Sequence, residues 1–137
     1  MWAQEGETWL TQEKVWNVTA IKIHPNAGEQ YLNNLRKTWV SGIKAAMKEG
    51  LVTDYRILTS LTPNDGSYNL LLITVSPNLA SMDATDALRE KFERIEQEVE
   101  KIISEQEVEK ITATVYPEVR TILSEKLLRE IKFIDKQ

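Results

Sequence analysis

Twice along this chain, apolar residues recur at steps of three and four, and each such stretch follows a strand-length run rich in β-branched or aliphatic side chains. This switching between a period of two and a period of 3.6 residues constrains the fold more than any other feature. In the first helical stretch, Leu32, Leu35, Trp39, Ile43 and Ala46 form one stripe, which predicts a helix over 28–50. Met47 widens the stripe, Lys44 and Lys48 sit where cations complement the helix dipole, and Gly50 is placed to end the helix in the left-handed conformation. In the second, Leu88, Phe92, Ile95, Val99 and Ile102 predict a helix over 79–103, with Glu90 and Arg94 as a favourable i, i+4 pair. Residues 104–116 either prolong that helix or add a short one through Val108, Ile111 and Val115, until Pro117 breaks it.

The run 15–24, closed by Pro25-Asn26-Ala27-Gly28, predicts a strand and a turn. Two more strands, over 54–62 and 68–76, flank Pro63-Asn64-Asp65-Gly66-Ser67, where Asp-Gly marks a tight turn. A last strand is predicted over 127–134, with 119–124 either a short strand or a helical turn. The order is β-α-β-β-α-β, an α+β domain with an antiparallel sheet and both helices on one face. Residues 1–14 are polar, with Trp2 and Trp9 set among acids. They read as an N-terminal arm that docks its tryptophans on the body or on a partner subunit, and 15–137 read as a single domain.

Helices on one face leave the other face to be polar or to find a partner. Val18, Ala20, Leu70 and Leu72 leave neither face polar, and the run Leu70-Leu71-Leu72-Ile73 is apolar on both. A contiguous apolar sheet face is an interaction surface, and two-fold homodimers dominate protein oligomers. A homodimer is therefore expected, the alternative being a cover made by long loops, the arm and the 104–124 segment.

Composition removes several function classes. The chain has 137 residues, 42% hydrophobic and 28% charged, and no cysteine, so thiolate catalysis, Cys-ligated zinc and iron–sulfur clusters are excluded. Net charge is −4, and the basic stretches at Arg36-Lys37 and 126–132 are interrupted by apolar residues. Nucleic acid and anionic membrane surfaces are poor partners for such a chain. No apolar run approaches the length of a membrane span. The first 15 residues contain no continuous apolar block, so they do not read as a signal peptide; Ala3-Gln4-Glu5 is compatible with the start of an exported protein whose leader has been removed. Cytoplasm and periplasm both stay open.

The block Val15-Trp16-Asn17-Val18 with Lys22-Ile23-His24-Pro25, then Tyr31-Leu32 and Trp39, and the closing Ile122-Leu123-Ser124-Glu125-Lys126-Leu127-Leu128-Arg129-Glu130-Ile131 resemble uncharacterised bacterial members of the dimeric α+β barrel superfamily. The resemblance covers roughly residues 15–135. It implies a ferredoxin-like fold whose sheet pairs with that of a second copy into a barrel, with a pocket between each sheet and its helices. Members include polyketide cyclases, quinol-forming monooxygenases, haem-degrading enzymes and chlorite dismutases, so the resemblance implies a pocket without a reaction. Haem-degrading members hold iron through a helical histidine, and neither predicted helix here contains one.

His24 is the single histidine, at the end of the first strand. It is either a general acid–base at the mouth of a pocket or a strand-end residue bonded to a loop carbonyl or water. The resemblance implies that a tyrosine, Tyr31 or Tyr55, would accompany it in a cyclase. Trp39 is a candidate pocket aromatic whose default role is core packing. Trp16 shares a strand face with His24 but lies about 26 Å away along an extended chain, too far to share a small ligand. Arg56, if buried, could hold a carboxylate or phenolate, with Tyr68 and Asn69 supplying hydrogen bonds nearby. Arg120, Glu125 and Arg129 read as salt-bridged surface or interface groups. One histidine with scattered carboxylates matches no metal-ligand spacing, and no Gly-rich nucleotide loop or nucleophile elbow occurs, so neither metal nor cofactor is expected.

Three functions follow in order of support. The first is a homodimer binding a small apolar or aromatic ligand. The second is a cofactor-independent cyclase or monooxygenase on an aromatic or polyketide-like substrate, with His24 as acid–base. The third is a structural or interaction protein that uses its tryptophan-bearing arm. Whether the chain is an enzyme is not decided by these residues.

Overall fold

The computed structural model describes residues 8–62 and 65–134. Its centre is a four-stranded antiparallel sheet of β2 (Val15–Ile23), β3 (Asp54–Thr59), β4 (Leu70–Ser76) and β5 (Arg120–Leu128), in the order β3-β4-β2-β5. β1 (Trp9–Thr11) pairs with β6 (Ile131–Phe133) in a separate two-stranded ribbon. The helices are α1 (Gly28–Leu35), α2 (Ser41–Lys48), α3 (Asp86–Glu100), α4 (Glu105–Lys110) and α5 (Tyr116–Val119). Wide π-helical turns at Arg36–Val40 and Ile111–Val115 join α1 to α2 and α4 to α5. Strand order and element order together make the β-α-β-β-α-β arrangement that the alternating periods predict.

Each central strand sorts its side chains by alternation. On one face Ile21, Leu70 and Leu72 meet Tyr31 and Leu35 of α1, and Ile103, Ile111, Tyr116 and Val119 close the core. The opposite face carries Val18 and Ala20 beside Ile73 and Leu71. Leu70 and Leu72 therefore lie across the sheet from Val18 and Ala20. Along the core face the pair Asn17↔Thr74 makes one end of the helix side polar, where Asn17 Nδ2 donates to Glu125 Oε1 at 3.1 Å.

Local chemistry sets the ends. Gly50 takes φ 75°, and the Gly50 N–H donates to Met47 O while the Leu51 N–H donates to Ala46 O, closing α2. Asn26 takes φ 63° in the turn after Pro25, a conformation that Asn tolerates better than most residues. α3 starts later than its stripe suggests, because Asn78 holds the Ala80–Met82 turn and Thr85 caps the helix by accepting from the Leu88 N–H. Ser104 accepts from the Glu107 N–H and starts α4 as a separate helix.

Two sequence expectations are corrected. Pro117 does not end its helix, which runs on to Val119. Proline cannot donate to the preceding turn, and the backbone meets this by widening over Ile111–Val115. The last sheet strand is Arg120–Leu128 rather than 127–134, whose remainder contributes Ile131–Phe133 to the ribbon. β5 is an edge strand with an irregular register opposite Ala20 and Ile21, so the apolar pairs Ile122-Leu123 and Leu127-Leu128 mask its alternation. Within the arm, Trp9 lies in the ribbon; Trp2 lies outside the described residues, as do Pro63 and Asn64 of the predicted turn.

Candidate functional site

The start of β5 brings together residues from three parts of the chain. Ile23 pairs with Arg120, which places the Arg120 side chain on the helix side, facing α1 and α5. Its Nη1 donates to the Tyr31 hydroxyl at 2.8 Å. Its Cζ lies 4.2 Å from the Tyr116 ring centroid and 5.4 Å from that of Tyr31. The two rings meet edge to face with centroids 5.5 Å apart. The Tyr116 hydroxyl is hydrogen-bonded to Thr38 Oγ1, and that hydroxyl also donates to Asn34 O at 2.9 Å. Both π-helical turns thus meet at this contact, since Thr38 lies within one and Tyr116 follows the other.

A cation over two aromatic rings is attracted by their quadrupoles. Arg120 has no ion pair among the described residues, so the two tyrosines are its compensation. Burial pushes the Tyr31 and Tyr116 phenols above their ordinary range, and their hydrogen bonds with Arg120 and Thr38, respectively, offset part of that rise. Both phenols are therefore neutral near pH 7, and the Arg120 charge is not cancelled.

His24 sits beside this cluster but bonds away from it. Its Nδ1 contacts Glu118 O at 2.8 Å and its Nε2 contacts Thr121 Oγ1 at 2.9 Å. The backbone N–H of His24 donates to Val119 O. An acid–base role would require at least one ring contact to break, and neither ring nitrogen meets a tyrosine hydroxyl. Trp39 and Tyr55 pack edge to face at 5.9 Å, joining the first π-helical turn to β3. Tyr31 therefore belongs with Arg120 and Tyr116, Tyr55 with Trp39, and the structure does not gather His24, Tyr31, Trp39 and Tyr55 around one point.

Arg56 is exposed rather than buried, and pairs with Asp54 at 2.7 Å. Its strand, β3, is itself an edge of the sheet, where a charged side chain is cheaper to solvate than to bury. Asn69 is occupied by the backbone: its Oδ1 accepts from the Ile23 N–H at 2.8 Å and its Nδ2 donates to Ile23 O at 3.2 Å. Arg120 is not the solvated ion-pair residue its sequence context suggests. Tyr116 and Thr38 carried no sequence signal beyond the spacing of Tyr116 and Arg120, and the partners Tyr31 and Thr38 lie far away in the chain.

Two hollows flank β5. One, of about 260 Å³, is lined by Thr112, Tyr116, Pro117, Arg120 and Ile122. The other, of about 450 Å³, lies at the far end of the strand among Val15, Leu79, Leu127, Leu128 and Ile131, with Thr11 and Arg129 supplying polar atoms. A groove of about 670 Å³ between α2 and α3 passes Lys37, Lys44 and Lys48, and Lys48 is tied there to Glu98. It contains none of the sequence-predicted site residues. Among the described residues no group of three His, Asp or Glu side chains is placed to hold a metal ion, and no helix is long and apolar enough to cross a membrane.

No family model and no curated protein matches the chain. Among solved structures it is similar to a dimeric protein of unknown function and ferredoxin-like fold from Bacteroides fragilis, with 9% identity over 90% of this chain and 99% of that one, at a TM-score of 0.41. It is also similar to a dimeric ferredoxin-like protein from an uncultured marine organism, with 10% identity over 92% of this chain and 97% of that one, at a TM-score of 0.40. A de novo designed protein with a ferredoxin fold shares 14% identity over 88% of this chain and 86% of its own, at a TM-score of 0.27.

Proposed function

We propose that this chain works as a homodimeric α+β barrel that binds a small apolar or aromatic molecule. The observation supporting the ligand is the hollow at the end of β5. Five aliphatic side chains line it, and four of them, Leu79, Leu127, Leu128 and Ile131, are exposed. Its volume of about 450 Å³ falls in the range of small-molecule sites. Apolar surface gathered in a concavity favours an apolar occupant by roughly 25 cal/mol per Å² removed from water.

Naphthalene serves as an uncharged aromatic probe, followed by saturation-transfer NMR. Wild type should show saturable binding, and Leu127→Asp should weaken it at least tenfold. Leu61→Asp, at a position 95% exposed outside the hollow, should leave binding unchanged. Equal binding by wild type and Leu127→Asp would remove the ligand reading.

The dimer rests on the edge of the sheet. β5 is an edge strand, and Leu123, Leu127 and Leu128 along it are all exposed. An edge of this length with aliphatic side chains on both faces is a template for pairing unless a second copy covers it. Sedimentation velocity over a wide concentration range should find a dimer, and Leu128→Lys should shift it toward monomer. A monomer at every concentration sinks this part of the reading.

A further inference from the structure

Arg120 is held as an anchor but left with donors to spare. Its one hydrogen bond among the described residues, from Nη1 to Tyr31, and its place over the Tyr116 ring fix the guanidinium in position. No described side-chain nitrogen or oxygen is both buried and without a hydrogen-bond partner. The remaining Arg120 nitrogens, Nε and Nη2, therefore reach solvent. These two share one edge of the guanidinium, the edge that matches the two oxygens of a carboxylate in a bidentate pair. The hollow of about 260 Å³ that Arg120 lines is walled by Pro117, Ile122 and Tyr116, with Thr112 as a further polar residue.

We propose that this hollow binds a small organic monocarboxylate, with the Arg120 guanidinium holding the carboxylate and the Pro117, Ile122 and Tyr116 walls holding an apolar or aromatic body. A single cation suits a monoanion better than a phosphate dianion, which is ordinarily held by several donors or cations. Apolar walls suit a hydrocarbon body better than a second charged group. Preorganisation adds to this: a side chain already fixed by two rings loses little freedom on binding. The site lies at the opposite end of β5 from the hollow at Leu127 and stands independently of it.

Benzoate is the probe, with benzyl alcohol as its uncharged counterpart and inorganic phosphate as the competing anion. Amide NMR shifts on benzoate addition should be saturable and centred on Thr112, Arg120 and Ile122. Benzyl alcohol should bind at least tenfold more weakly, and phosphate should not displace benzoate. Arg120→Met should lose at least tenfold in affinity. Ile122→Trp keeps Arg120, changes an exposed residue and fills the hollow, so it should abolish binding even if Arg120→Met fails to fold. The proposal is overturned if benzoate gives no saturable shifts at these residues, if benzyl alcohol or phosphate binds as well as benzoate, or if Ile122→Trp binds as wild type does.

Discussion

The Arg120 guanidinium donates to the Tyr31 hydroxyl at 2.8 Å across 89 residues of sequence, tying β5, the last strand of the four-stranded sheet, to the first helix. Tyr31 is fully buried in the core, so this bond carries a charge into contact with the packed interior. Removing the acceptor leaves the packing but unpairs a charged donor. Tyr31→Phe should therefore cost about 1.5–3 kcal/mol, the usual range for a hydrogen bond to a charged group. Urea unfolding should show a lower midpoint with an unchanged slope. A midpoint equal to wild type would mean that Arg120 bonds water as well as it bonds Tyr31.

The same cluster gives the protein a pH dependence at the alkaline end. Tyr31 and Tyr116 are held above the ordinary phenol value of 10.0, chiefly by burial. A raised folded value means that the native state keeps its proton where the unfolded state loses it. The resulting stability is fully present below about pH 10 and is lost as pH rises through the folded values. Absorbance at 295 nm should report two phenols that ionise late and are released together on unfolding. Tyr116→Phe should remove one of the two.

Asn69 acts as a surrogate strand residue. Both ends of its amide bond the Ile23 peptide, extending the ladder between β2 and β4 beyond Leu70. Asn69→Ala should cost about 1–3 kcal/mol, since the Ile23 peptide loses its partners in a partly buried place. Hydrogen exchange at the Ile23 amide should accelerate in the variant. Unchanged exchange there would show that another group replaces the asparagine.

Leu35 is 1% exposed and lies between the sheet and the second half of the chain. Leu35→Ala should destabilise by about 2–5 kcal/mol through lost burial and a residual cavity. Calorimetry against wild type measures it. A value under 1 kcal/mol would indicate that α1 and α5 close onto the vacated space.

The elements with a buried face were legible because burial imposes a period. Ile21, Leu70 and Leu72 alternate with open-face residues, and Leu35, Trp39 and Ala46 follow a helical stripe. β5 was misplaced because its register shifts opposite Ala20 and Ile21 and aliphatic residues occur on both of its sides, so no alternation shows in the sequence. α3 was legible as a helix although it buries no residue completely, because its stripe reflects partial packing against α2 rather than the sheet.

The candidate site was legible only in pieces. Tyr31, His24 and Arg120 each stood out by type, but sequence spacing carries no information on which tyrosine meets which cation across the fold. The chain's own order of periods determined the β-α-β-β-α-β succession, the end of α2 at Gly50 and the turn after Pro25, all of which rest on local sterics and burial. The tertiary structure alone decided that Arg120 would lie over Tyr116 and bond Tyr31, that His24 would spend both ring nitrogens on Glu118 and Thr121, and that Pro117 would sit within a helix. Those outcomes depend on contacts between segments distant in the chain, where packing and desolvation outweigh local preference.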